Sequence, residues 1–136
     1  MRVELALGDL PQVIKIFQEF LQKKFPFKTM YKINKIAEAL DAEGRTFDKV
    51  RREILIKYCE VDENGELKID DKGQVKPKDG KMDVFVREMN EFLSEKTEIN
   101  IKPLTVEEFE ESDEKVSGQE MRVLMMFIEN EPEEKQ

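Results

Sequence analysis

Residues 97–101 read Thr97-Glu98-Ile99-Asn100-Ile101, with a β-branched side chain at every second position and a polar one between. A period of two marks a strand with one buried face, and Pro103 closes it. Near the start of the chain, Val3, Leu5 and Leu7 alternate with Arg2, Glu4 and Ala6 as far as Gly8. These stretches predict strands over 3–7 and 97–101, and the simplest arrangement pairs them with each other. Most of the rest carries a helical period. The predicted fold is therefore α+β: a mostly helical single domain over residues 1–130, with a small two-stranded sheet and helices packed on one side of it.

Asp9 stands where a helix cap belongs and Pro11 falls in the first turn, after which Val13, Ile14, Phe17, Phe20 and Leu21 share a face. That helix should end near Phe25, before Pro26. Met30, Ile33, Ala37 and Leu40 predict a second helix over 27–42, ended by Gly44. Thr46 is placed to cap a third, with Phe47, Val50, Ile54, Leu55 and Tyr58 as its stripe. Over 60–81 the apolar period collapses into a polar excursion, with a minor hairpin predicted at 66–76. A fourth helix over 82–95 turns Phe85, Val86, Met89, Phe92 and Leu93 inward. Thr105 with Glu108, and Ser117 with Glu120, have the spacing of capping boxes for two short helices. In the last one Met121, Leu124, Met125 and Ile128 are expected to face the core. No internal repeat stands out, and the acidic tail over 131–136 is expected to fray.

The chain has 136 residues, no histidine and one cysteine, Cys59. Without histidine there is no Ser-His or Cys-His nucleophile, no imidazole metal ligand and no ordinary near-neutral base. Cys59 follows an inward-facing Tyr58 and reads as a small packed side chain. Neither a GxGxxG loop nor a GxxxxGK[ST] loop is present. The expectation is a protein that is not an enzyme and carries no cofactor. No apolar run is long enough to span a membrane, and the charged first residues have no signal-peptide character, so an intracellular protein is expected.

Charge is unevenly placed. Residues 1–59 carry 12 basic and 8 acidic side chains, a net of +4, whereas residues 60–136 carry 11 and 23, a net of −12. If the fold keeps these halves apart, it has a basic face and an acidic face, an arrangement suited to charge-steered association with a protein. The overall acidity disfavours nucleic acid. Two clusters are the candidate partner-binding residues. One is the basic stripe Lys24, Lys28, Lys32 and Lys35, which Arg45, Lys49, Arg51 and Arg52 could extend. The other is the acidic run Glu107, Glu108, Glu110 and Glu111, which surrounds Phe109 and continues to Asp113 and Glu114. An aromatic in such a run must either pack on the core or anchor a partner. The methionines at 121, 125 and 126 could form an adaptable groove, but core filling is the simpler reading. A weaker candidate is the loop carrying Glu60, Asp62, Asn64 and Asp71, which places oxygen ligands at positions 1, 3, 5 and 12 of an EF-hand-like segment with Gly65 at position 6. Glu at position 1, Lys68 at position 9 and the lack of a helix after position 12 depart from that pattern, so a polar turn at Asn64-Gly65 is the preferred reading.

Three stretches, RREILIKYCEVDENGELKIDDKG over 51–73, FVREMNEFLSEKTEINIKPL over 85–104 and VSGQEMRVL over 116–124, resemble a family of small uncharacterised proteins encoded by phages and prophages of Gram-positive bacteria. The resemblance covers roughly 45–127, and its N-terminal helices match only in general character. It brings no catalytic residue with it. What it implies is context: a phage product of unknown function in the cytoplasm of an infected bacterial cell, or in the virion. The expected function is a non-enzymatic protein-binding protein that docks on a host or phage protein, such as a host enzyme or defence complex. The alternative is a structural or assembly component of the virion, which would form a homo-oligomer, and a calcium-binding module comes third.

Overall fold

The computed structural model describes residues 1–129, and the acidic tail over 131–136 lies outside the described residues. Strands β1 (Arg2–Ala6) and β2 (Lys96–Asn100) pair antiparallel, with Val3 opposite Ile99 and Leu5 opposite Thr97. The alternation decides which face is covered: Val3, Leu5 and Ile99 are buried, while Arg2, Glu4 and Glu98 face water. On that wet face Arg2 meets Glu98 and Lys96 meets Glu4, each at 3.6 Å. The ladder extends to Ile101, whose N–H donates to the Met1 carbonyl at 2.9 Å. Both strands begin one residue earlier than the sequence predicts. Leu7 belongs instead to a 3-10 turn, Leu7–Asp9, that leads into the first helix.

Helix α1 (Leu10–Leu21) buries Leu10, Val13, Ile16, Phe17 and Phe20, so Ile16 belongs to its inner face while Ile14 and Leu21 sit at its margin. Asp9 does not cap it. Its backbone is already helical and its side chain makes no capping bond, because the 3-10 turn supplies the entry.

The main departure from expectation is α2, a single helix of 32 residues, Phe27–Tyr58, that runs through Gly44 without a break. A helix stop at glycine needs the left-handed conformation, and Gly44 does not adopt it. It is buried where α1 crosses, and a Cβ added there would lie 2.7 Å from the Cδ1 of Ile14. The glycine thus serves close approach of two helices rather than termination. The stripe Ile33, Ile36, Ala37, Leu40, Gly44, Phe47 is continuous at spacings of three and four, and Thr46 is simply exposed.

Helix α3 (Met82–Ser94) lies along α2, with Phe92 stacked on Phe47 at 5.2 Å, and has no fully buried residue. Between α2 and α3 the chain makes two successive tight turns. The Asp62 Oδ1 accepts from the N–H groups of Asn64 and Glu66 at 2.8 and 3.0 Å, and the Asp70 Oδ1 from those of Lys72 and Gln74, both at 2.9 Å. Gly65 and Gly73 supply the positive φ, 79° and 76°. Residues 61–67 and 69–75 therefore repeat one seven-residue unit, apolar-Asp-x-x-Gly-x-apolar, at an interval of eight, closed by the bridges Val61 to Leu67 and Ile69 to Val75. Only the second of these turns falls in the window predicted for a hairpin, and the repeat itself was not expected.

Two short helices complete the fold: α4 (Val106–Glu110) and α5 (Gly118–Leu124), each opened by the capping box read from its sequence. After α5, Phe127 inserts fully into the core against Phe17, ring centroids 4.9 Å apart, and Glu129 returns to the Leu104 carbonyl. The architecture is α+β, with a two-stranded antiparallel sheet as its only sheet among the described residues.

Candidate protein-docking site

The two charged halves of the sequence meet in part in the fold. The acidic segment that follows β2 folds back onto the basic start of α2. The Lys32 ammonium donates to Glu108 Oε1 at 3.0 Å, and the Thr29 hydroxyl donates to Glu108 Oε2 at 3.3 Å. The Lys24 N–H donates to Glu114 at 3.1 Å, and Lys23 reaches the Lys115 carbonyl at 3.0 Å and Glu120 at 3.6 Å. One member of the acidic run, Glu108, and one member of the basic stripe, Lys32, are thus partners of each other.

The capping boxes explain why these carboxylates sit where they do. Glu108 accepts from the Thr105 N–H at 2.8 Å while the Glu108 N–H donates back to the Thr105 hydroxyl, which turns the side chain inward toward α2. Burial alone would raise its pKa. The hydrogen bonds from Lys32 and Thr105, with the Lys32 charge, outweigh burial and hold the carboxyl below its ordinary value. Glu120 repeats the pattern: burial pushes up, but the Ser117 N–H and the Lys23 charge bring the net shift down.

With Glu108 removed from the surface, Glu107, Glu110 and Glu111 remain exposed around Phe109. Phe109 does both things that an aromatic in an acidic run can do. One edge packs on Phe25, centroids 5.2 Å apart at 83°, and the rest of the half-buried ring lines a groove between α4 and α5. That groove has a volume of ≈ 350 Å³ and apolar walls of Val106, Phe109, Val116, Met121, Met125 and Ile128, with Glu110 and Glu114 at its rim.

The two methionines in its wall correct the sequence reading of α5. Its inward face is Glu120, Val123 and Leu124, continued by Phe127 and Ile128, whereas Met121 and Met125 are 41% and 56% exposed. The run 121–128, MRVLMMFI, is apolar nearly all round, so its period does not choose a face. The choice comes from Glu120, whose capping geometry and Lys23 contact turn it inward and carry the stripe at 120, 123, 124 and 127 with it.

Of the remaining basic stripe, Lys24, Lys28 and Lys35 are exposed, and the Lys35 ammonium lies 5.9 Å over the Tyr31 ring. Lys28 and Lys35 lie on the outer face of α2, away from its buried stripe, and Lys24 lies in the segment between α1 and α2. In the 60–71 loop, Asp62 Oδ1 is taken up by its own turn and Glu60 pairs with Lys76 at 3.5 Å. Glu60, Asp62 and Asp71 are not brought into one metal-holding group, nor is any other set of three such side chains among the described residues. Cys59 is fully buried, and that burial pushes its thiol pKa up. Among the described residues no helix is long and apolar enough to cross a membrane. Comparison with known proteins finds no matching family model, no matching curated protein and no matching solved structure.

Proposed function

We propose that this chain is a non-enzymatic protein-binding protein and that it docks through the groove between α4 and α5. The observation that carries the reading is the exposure of Met121 and Met125 beside Phe109, Val106 and Val116 in one apolar groove. A solvent-exposed apolar hollow with polar margins is the usual form of a protein contact surface. Methionine suits such a surface because its unbranched side chain adapts to whatever seats against it. Glu107, Glu110 and Glu111 add a field that steers approach, while Glu108 has a structural role. Histidine is absent, and Glu108 and Glu120, the two carboxyls held below their ordinary pKa, are engaged in caps. A host or phage protein as the partner rests on the sequence resemblance alone.

The test is affinity capture from cell lysate with wild-type protein and with Met125→Asp, at low and moderate salt. A partner held by the wild type and lost with the variant, at unchanged thermal stability, supports the reading. Equal capture by both proteins removes the groove from it.

A further inference from the structure

The groove's shape and charge together specify what should fill it. Resting on the docking reading above, we infer that its occupant is a basic amphipathic helix, with apolar residues one turn apart on one face and Lys or Arg beside them.

The walls are helix faces. Met121 on α5 and Met125 at its C-cap stand one turn apart, the Met125 N–H donating to the Met121 carbonyl at 2.9 Å, and Val106 and Phe109 stand one turn apart on α4, so the trough runs between two rows of side chains at helical spacing. A third helix can set a ridge of its own side chains into such a trough. The walls are side chains rather than unpaired backbone, so an occupant is held by its side chains and not by adding a strand. Helix α5 is seven residues long, about 10 Å at 1.5 Å per residue, which matches anchors at i, i+4 and i+7 of the occupant.

The charges select the sign. Glu110 and Glu114 lie at the rim, and Glu107, Glu111 and Asp113 are exposed on α4 and the turn after it. The nearby cations Lys23 and Lys32 are drawn to Glu120 and Glu108 and so do not cancel these five carboxylates. Lys24, whose N–H meets Glu114, and Lys115 and Arg122 nearby in the chain are exposed basic residues set against these five carboxylates, which leaves the margin net anionic. An acidic helix, a phosphate backbone or an anionic lipid surface would meet this rim with like charge.

The experiment uses the full chain with 13C-labelled methionine methyls and three synthetic peptides of about five helical turns. One is a Leu/Lys amphipathic helix, the second has the same composition in scrambled order, and the third is a Leu/Glu amphipathic helix. The expected result is that only the first shifts the Met121 and Met125 methyl resonances, that binding weakens as salt rises, and that Glu110→Lys weakens it roughly fivefold. Equal binding of the scrambled peptide, or shifts confined to Met1, Met82 and Met89, overturns the inference. If the Leu/Glu peptide moves Met121 and Met125 instead, the basic occupant is wrong while docking in the groove stands. If no peptide moves them and Met125→Asp still abolishes capture from lysate, the helical occupant is wrong and the docking reading stands. If Met125→Asp leaves capture unchanged, both fall.

Discussion

The Lys32 ammonium and the Glu108 carboxylate, 3.0 Å apart, join the first turns of α2 to the first turn of α4. The pair is mostly shielded, with side-chain exposures of 19% and 17%, so it is screened less than a surface ion pair. Glu108→Gln should cost about 1–2 kcal/mol of unfolding free energy, measured by urea denaturation at neutral pH, because a charge-assisted bond becomes a neutral one. A cost below the error of the measurement would show that the pair is incidental.

Stability should also fall with acid, through Glu108 and Glu120. Both carboxyls are held below their ordinary value of 4.5 in the folded protein. As pH drops through that value the unfolded chain takes up protons first, so the stabilisation present above it is lost as pH approaches the lower folded-state pKa values. Urea midpoints should therefore decline below about pH 5. The double variant Glu108→Gln, Glu120→Gln should show a shallower decline over the same range, and an equally steep one would assign the acid sensitivity to other groups.

Gly44 should couple to Ile14. In an open helix, Gly→Ala gains about 1 kcal/mol from propensity. Here the new methyl meets the Ile14 Cδ1, the far end of a flexible side chain, and the gain should be largely offset. Gly44→Leu, which cannot be accommodated by a small shift, should cost about 1–3 kcal/mol through overpacking. Shortening the neighbour should release the gain, so that Gly44→Ala with Ile14→Val is more stable than the sum of the single changes. Strict additivity would mean that the two helices are not in contact at this point.

What could be read from the chain, and what could not, divides along the range of the interactions involved. The strands at β1 and β2 and the capping boxes at Thr105 and Ser117 are set by side chains within four residues of one another, and they stood in the sequence in plain form. Gly44 was misread because its purpose depends on Ile14, which lies thirty positions earlier, although the unbroken spacing from Leu40 to Phe47 was a signal for a continuous helix. Met121 and Met125 were misread for a similar reason, since Lys23 helps decide which face of α5 turns inward. Glu108 carried two readings at once, cap and docking residue. The bonds to Thr105 show the cap, and the contact with Lys32, which engages the same carboxylate, was not legible in the sequence. The repeat at 61–67 and 69–75 was open to direct alignment of VDENGEL with IDDKGQV. An apolar period does not reveal it, because the order of this segment comes from Asp and Gly.

The Asp62 turn should respond to substitution as a hydrogen-bond acceptor, not as a metal ligand. Asp62→Asn keeps the oxygen that accepts from Asn64 and Glu66, whereas Asp62→Ala removes it. Amide exchange at Glu66 should stay protected in the first variant and accelerate in the second, by about tenfold for a loss near 1.4 kcal/mol. Loss of protection in both variants, together with loss in the wild type on calcium removal that readdition reverses, would point instead to a cation.

Glu108 and Glu110 lie two positions apart on α4 and should separate stability from docking. Glu110 is exposed and has no ion-pair partner among the described residues, so Glu110→Lys should leave the unfolding free energy within about 0.5 kcal/mol. Placed on the anionic margin of the groove, the same change should weaken partner capture and reduce its dependence on salt. Glu108→Lys should do the reverse in kind: it sets a second ammonium against Lys32 and removes the acceptor for Thr29 and Thr105, and the melting temperature should fall by several degrees. Melting curves and capture assays on the two variants give four readings. If Glu110→Lys unfolds the domain, the local geometry of α4 is other than described. If both variants capture the partner as the wild type does, the acidic margin has no part in recognition and the apolar walls act alone.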